Sequence, residues 1–271
     1  MPANTLLYLW PQRTFYLGEL DGAVHLQLAA SVLLFALDAP LLARCGSHSL
    51  RASSLLLPVG EKVVIEGGGR IALCYLDVFG HDLQHLSPRL QWQRGPVRGA
   101  LAEQDVALAW LHEQSQAASP ATLDELAAWL ERLINPQQQS ATVHCDPRIA
   151  RVVELIQEDV ACNRQIAELA AAIGLNVSRL TQLFRQQVGI PVRRYRQWHR
   201  LFVTSCLVAG GASLTDAALQ AGFSDSAHFC HTFRSLAGMN PSQILLRPGR
   251  LFLQADLRPL AALPDQGKEC R

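Results

Sequence analysis

The sequence predicts an α+β fold in two parts, a strand-rich N-terminal half and an all-helical C-terminal domain, and three observations carry that reading. Between Leu20 and Asp77 short apolar or alternating runs are separated by turn residues. From Leu101 onward apolar residues recur at helical spacing instead. Near the C-terminus one small device is written twice, as GLNVSRLTQLFRQQVGIPVRRYR from Gly174 and as GFSDSAHFCHTFRSLAGMNPSQIL from Gly222.

A chain of 271 residues can bury two modest cores. Its 49% hydrophobic and 17% charged residues are the balance of a folded chain rather than a disordered one. The opening MPANTLLYLWPQRTFYLGEL lacks a basic leader ahead of an apolar core, and no apolar run approaches the roughly 20 residues that span a bilayer. A cytoplasmic protein with no membrane contact is the expectation. The seven cysteines show no CxxC pair and no zinc-finger spacing, so they are read as reduced thiols, with Cys206 and Cys230 the pair to check for redox sensing.

The strand runs are AVHLQLA, SVLLFAL, PLLARC, SSLLLP, KVVIE and RIALCYLDV, broken at Asp38-Ala39-Pro40, at Pro58-Val59-Gly60 and at Gly67 to Gly69. That spacing predicts an antiparallel sheet curled into a sandwich or a barrel over residues 1–98. An antiparallel helix pair follows over 99–134, with Leu101, Leu108 and Leu111 on the first helix and Leu123, Leu126, Leu130 and Leu133 on the second. Ser119-Pro120 offers the second helix a start. Residues 135–146 are polar and aperiodic, a linker; 147–247 are helical; 248–271 carry three prolines and no period, a loosely held tail.

Each copy of the device is a short helix, a glycine turn, an apolar plug, a capping residue and a second helix. In the first copy Gly174 makes the turn, Leu175 is the plug and Asn176 the cap; the second helix then buries Leu180, Leu183 and Phe184. In the second copy Gly222, Phe223 and Asp225 or Ser224 take those parts, and Phe229 and Phe233 are buried. Gly189 with Pro191, and Gly238 with Pro241, stop the second helices. A helix whose outer face carries Ser, Thr, Gln, Arg and His, set across a support helix, suits the DNA major groove. The joining run PVRRYRQWHRLFVTSCLVA reads as one helix of about 18 residues, near 27 Å at 1.5 Å per residue. Two readers on one rigid spacer address a longer site than one reader can. Charge points the same way: residues 146–247 hold 11 arginines, no lysine and 7 carboxylates, whereas 1–145 hold 9 cations against 13 carboxylates.

Residues 146–247 resemble the DNA-binding domain of AraC/XylS-type transcription regulators, through GFSDSAHFCHTFRSLAGMNP and the linker-helix pattern of Gly189, Pro191, Tyr195 and Arg200-Leu201. The resemblance implies a seven-helix domain that places two recognition helices in successive major grooves of double-stranded DNA. It also implies an N-terminal cupin-like β-barrel followed by dimerising helices. On that basis the base-reading residues are Ser178, Arg179, Thr181 and Gln182 on the first reader and Ala227, His228, Cys230 and His231 on the second. Cys230 and His231 stand where the family commonly has Ser or Thr and Arg, which weakens base readout there. Arg185, Arg193, Arg194, Arg196, Arg200 and Arg234 are the phosphate candidates. Phe202 and Val203 form an apolar patch on the linker helix, read as core or as a docking surface for the N-terminal domain.

For the N-terminal half the expectation is a small-molecule effector pocket lined by His25, Gln27, Arg44, His48 and Tyr75, and a homodimer through Leu108, Leu111, Leu126, Leu130 and Leu133. RNA polymerase is the further partner of an activator of this type. His81 and His85 have the spacing of a metal pair if helical, but no third ligand accompanies them, and neither a metal nor a cofactor is expected. No phosphate loop, GxSxG elbow or HExxH helix occurs, so the chain is not read as an enzyme. Two alternatives stand beside the ligand-responsive regulator: a DNA-binding regulator governed by a protein partner or by abundance, and a cupin-type metal or redox enzyme with a DNA-binding appendage.

Overall fold

The structure is a computed structural model that describes residues 4–20, 22–140, 142, 144–160, 164–245 and 251–257. The chain divides into two compact units, one drawn from the residues before 144 together with 234–255, the other from 144–233 and the residues after 255.

Among the described residues the first unit holds twelve strands: β1 Thr5–Leu9, β2 Thr14–Leu20, β3 Val24–Gln27, β4 Val32–Ala36, β5 Leu41–Cys45, β6 His48–Ala52, β7 Ser54–Leu57, β8 Lys62–Glu66, β9 Gly69–Tyr75, β10 Leu90–Arg94, β11 Val97–Leu101 and β12 Leu251–Ala255. They form one sheet of eight strands, in the order β10-β11-β7-β4-β9-β2-β1-β12, and one of four, β3-β8-β5-β6. A barrel needs an unbroken ring of hydrogen-bonded neighbours. Among the described residues neither sheet closes on itself, so the expected cupin-like barrel is replaced there by two open sheets. Where they meet, Gly99 of β11 faces β6 so closely that an added Cβ would lie 3.0 Å from the Leu50 side chain.

Side-chain alternation explains the layers. Strands β3, β5 and β8 alternate buried and outward positions, as one-faced strands do. Strands β1, β4 and β7 are buried throughout because both faces are covered. On one face of the large sheet Leu6, Tyr8, Phe15, Leu17, Leu33, Phe35, Ala72 and Cys74, two residues apart on each strand, form a core with the helices α1 His81–Leu86, α2 Gln104–Gln116 and α3 Leu123–Ile134. Helix α3 starts at Thr122, two residues beyond the expected Ser119-Pro120: Thr122 accepts the Glu125 N–H while Glu125 accepts the Thr122 N–H, a reciprocal cap. Leu101, expected in the first helix, ends β11 instead.

This core reassigns the dimer residues. Leu111, Leu126 and Leu130 are at most 1% exposed within the sheet–helix core, and Leu108 and Leu133 pack against it. Helical periodicity identified the apolar stripe correctly, but the stripe faces the chain's own sheet. Leu130→Ala is therefore expected to cost about 2–5 kcal/mol of folding stability in a urea melt, leaving the sedimentation mass of the folded protein unchanged.

The expected loose tail is corrected in part: Leu251–Ala255 forms β12, parallel to β1 from Thr5↔Leu251 to Leu9↔Ala255. Gln254 Oε1 accepts the Leu123 N–H at 2.7 Å, and Phe252 packs on the core. Residues 258–271 of the tail lie outside the described residues. Arg13, in the turn between β1 and β2, joins two helices that the sequence did not connect, pairing with the buried Asp82 of α1 and, at 2.9 Å, with Glu131 of α3.

The second unit holds helices α4 Pro147–Glu158, α5 Ile166–Ala172, α6 Val177–Val188, α7 Val192–Ala209 and α8 Leu214–Gln220. Helix α9, Ser226–Ala237, begins in this unit, and α10, Pro241–Leu245, follows it.

Candidate nucleic-acid interface

The first motif is α5, a turn and α6. Gln165 and Glu168 cap α5 reciprocally, and its close is governed by Gly174 at φ +67°, the left-handed region where a Cβ is costly. Ala170 is 1% exposed, and its carbonyl accepts the Leu175 N–H at 2.9 Å, so the chain turns tightly over it. Asn176 Oδ1 then accepts the Arg179 N–H at 2.8 Å and starts α6. Leu180, Leu183 and Phe184 point inward. Ser178, Arg179, Thr181, Gln182 and Arg185 are all exposed, as the periodicity required.

The outward face of α6 is already organised. Arg179 donates to Gln182 Oε1 at 3.0 Å, and Thr181 donates its hydroxyl proton to the Val177 carbonyl at 2.8 Å. Thr181 therefore offers an acceptor. Gln182 offers its NH2 and the second lone pair of Oε1, the two groups that paired bonds to adenine use. Gln186, also exposed, continues the Ser178–Gln182 stripe by one more turn; the i, i+4 spacing could have identified it, and the sequence reading passed over it.

The second motif repeats the parts. Ser213 Oγ accepts the Asp216 N–H and caps α8. Gly222 turns at φ +86°, Phe223 is buried as the plug, and Asp225 Oδ1 accepts the His228 N–H at 2.7 Å. Of the two capping candidates it is Asp225 that bonds the helix; bonds from the backbone at His228 and from the Ser224 hydroxyl hold its carboxyl below the usual range. Phe229 and Phe233 go inward with ring centroids 5.6 Å apart. Ala227, His228, His231 and Arg234 are exposed, and Cys230 is half-buried. The His228 ring folds back over the turn, its Nδ1 3.2 Å from Ser224 Oγ and its edge on Phe223. That leaves His231 as the strongest hydrogen-bonding group on this face.

Helix α7 joins the motifs over 18 residues, about 27 Å at 1.5 Å per residue. Phe202 and Val203 are buried, as are Leu201, Thr204, Ser205 and Cys206 around them. Cys206 is fully covered and its thiol is pushed up to about 12 by burial; both Cys206 and Cys230 are free thiols. His199 lies between Tyr195 and Phe202, ring planes 6° and 23° apart, and burial lowers its pKa to about 4.

The six phosphate candidates separate into two groups. Arg185, Arg193 and Arg234 are exposed. Arg196 and Arg200 turn inward and donate to the backbone carbonyls of Arg164 and Val160, while Arg194 is half-buried; burial lowers the pKa of all three. Guanidiniums engaged in closing an inter-helix loop are structural, so Arg196 and Arg200 are withdrawn from the phosphate set. Arg185→Ala and Arg193→Ala are each expected to flatten the dependence of log K on log salt by about 1, whereas Arg196→Ala lowers the melting temperature and leaves that slope unchanged.

The effector candidates do not converge. His25, Arg44 and His48 are exposed, Gln27 is half-buried, and Arg44 is paired with Glu66 at 2.8 Å. Tyr75 alone is buried, and burial raises its hydroxyl pKa. Residues of one strand alternate between faces, so a polar residue in a strand run need not point inward. His81 and His85 do share a helix, but His81 is tied to Asp77 at 3.4 Å; among the described residues no cluster of three or more His, Cys, Asp or Glu could hold a metal ion. No helix among the described residues is long and apolar enough to cross a membrane.

Two capped helix-turn-helix units, each with a polar face turned outward and joined by one continuous helix, define the class: a helix-turn-helix nucleic-acid-binding domain. Residues 169–247 match the family described as helix-turn-helix domain. The HTH-type transcriptional activator RhaR of Yersinia pestis bv. Antiqua (strain Angola) is 29% identical over 118 residues, 43% of this chain and 41% of RhaR. The arabinose operon regulatory protein of Escherichia coli (strain K12) is 31% identical over 100 residues, 36% of this chain and 34% of that protein. In this C-terminal part the chain is similar to these regulators; the match spans less than half the length of either curated relative. The fold extends further: ToxT of Vibrio cholerae strain SCE256, crystallised with an unsaturated fatty acid, superposes with a TM-score of 0.58 at 13% identity, covering 88% of this chain and 96% of ToxT. An apo point variant of ToxT from the same strain gives 0.57 at 12% identity over 88% of this chain and 98% of that one.

Proposed function

We propose that the chain is a sequence-specific, DNA-binding transcription regulator of AraC type, in which α6 and α9 enter neighbouring major-groove segments of double-stranded DNA. The observation that carries this reading is the exposed polar stripe of Ser178, Thr181 and Gln182 on a helix whose start, turn and stop are all fixed by local bonds. A second copy of the same parts sits one straight helix away. Exposed Arg185, Arg193 and Arg234 supply the phosphate contacts, and α6 supplies more of the base readout than α9. Activation, the activity named for the RhaR relatives, is the regulatory sense assigned to it, with RNA polymerase as the partner.

The N-terminal unit is proposed to sense a small molecule, a role supported by its apolar two-sheet build and by the fatty-acid complex of ToxT, which shares the fold. Dimerisation is proposed through the outer rather than the inner face of the helix pair. There Val106 is 72% exposed. Selection from a random 40-base-pair duplex library, followed by footprinting, tests the function. The expected result is an enriched sequence protected in two patches about one helical turn apart; no enrichment at any salt concentration overturns it.

A further inference from the structure

We propose that the start of α6 reads thymine, the Val177 side chain and the Thr181 methyl together seating the 5-methyl group of one thymine in the major groove. The proposal rests on the DNA-binding reading above and names the base that this part of the site takes. Val177 opens α6 and is 40% exposed, an apolar side chain at the end of a recognition helix whose residues meet base edges. One exposed apolar residue on a surface is ordinary. This one has a neighbour: Thr181 stands four residues on, one turn along the same side of the helix, and is exposed as well. The Thr181 hydroxyl lies back on the Val177 carbonyl at 2.8 Å. With its hydroxyl turned to its own backbone, Thr181 adds its methyl to the outer surface beside Val177, and the two form a small apolar seat on an otherwise polar face.

The charge around this seat suits a groove lined with phosphates. Peptide dipoles leave partial positive charge at a helix start, so carboxylates are favoured there. The support helices follow that rule, with Glu168 in the first turn of α5 and Asp216 in the first turn of α8. Helix α6 has no acid in its first turn, and its cap is the neutral Asn176. A carboxylate at that place would face the phosphates with like charge. The seat is also confined to one reader. Counted from the caps Asn176 and Asp225, Val177 corresponds to Ser226, Thr181 to Cys230 and Gln182 to His231, so α9 opens on a hydroxyl where α6 opens on an apolar group. In the major groove the 5-methyl is the mark of thymine, and apolar side chains and the Thr methyl are the groups that read it. Gln182, the next residue after Thr181, carries the paired groups that adenine takes, so the first two turns of α6 are built for A·T pairs.

The test uses the full chain and the duplex it enriches from the library. Each thymine is replaced in turn by uracil, which deletes the methyl and keeps every hydrogen-bonding group of the base, and affinity is read by fluorescence anisotropy. One position is expected to lose about fourfold, the worth of one methyl taken out of water. Val177→Ala trims the seat, and Thr181→Ser removes the methyl while keeping the hydroxyl and its bond to the Val177 carbonyl. Each is expected to weaken binding to the thymine duplex and to shrink the thymine-to-uracil ratio at that position to less than about twofold. Gln182→Ala is expected to weaken binding and leave the ratio as in wild type. The seat is overturned if no uracil changes affinity by more than about twofold, or if either Val177→Ala or Thr181→Ser keeps the wild-type ratio. If the full chain enriches no duplex at all, it is the DNA-binding reading that fails, and the thymine seat falls with it.

Discussion

Replacing Ser178, Thr181 and Gln182 together by alanine is expected to lower affinity for a selected duplex at least about 100-fold, while affinity for a scrambled duplex changes less than about threefold, since base-edge contacts contribute about 1–3 kcal/mol per good pair. All three side chains are exposed, so the fold survives their loss. The phosphate contacts assigned to Arg185, Arg193 and Arg234 remain, so the salt slope stays the same. Fluorescence anisotropy at fixed ionic strength measures both affinities. The matching triple on α9, Ala227→Gly with Cys230→Ala and His231→Ala, is expected to cost less than about tenfold, because His231 is the one strong hydrogen-bonding group it removes. Equal losses from both triples would contradict the assignment of the main base readout to α6.

The second large effect is a loss of stability in mild acid. Buried between Tyr195 and Phe202, His199 titrates near 4, below the ordinary histidine value of 6.5, because burial penalises its charged form. Its folded pKa lies below its unfolded one, so the neutral ring's contribution is fully present above pH 6.5 and is lost as pH falls towards 4. Over that window the unfolded chain takes up a proton that the folded chain refuses, a swing of about 3 kcal/mol. Urea melts at pH 7.5 and pH 4.5 on wild type and His199→Phe check this. The wild type is expected to lose more stability than the variant, and parallel losses would place the acid sensitivity elsewhere.

What was legible in the sequence was what neighbours in the chain decide. Asn176 and Asp225 cap helices within three residues of themselves, Gly174 and Gly222 turn the backbone where they stand, and the buried and exposed faces of α6 and α9 follow from a 3.6-residue period. Six strand runs between Val24 and Tyr75 were readable for the same reason. Partners far along the chain were not readable. The period that placed Leu126 and Leu130 on one face could not say whether that face meets a sheet or a second subunit. Arg200 lies within a row of arginines that looks like a phosphate surface, yet its acceptor is the Val160 carbonyl, 40 residues earlier. Strand β12 escaped notice because Leu251–Ala255 is short and follows a proline, and its partner, β1, is at the opposite end of the chain. Two open sheets and a closed barrel share one alternation pattern, so only the pairing order could separate them.

Helix α7 has neither glycine nor proline from Val192 to Ala209, and most of its second half is buried. On the proposed two-groove reading such a piece works as a caliper with fixed jaws. An operator whose two contacted segments drifted apart by a full helical repeat would regain its rotational phase yet lose one jaw, so insertions between those segments are not neutral at any length, and the two halves of each binding site must be inherited together.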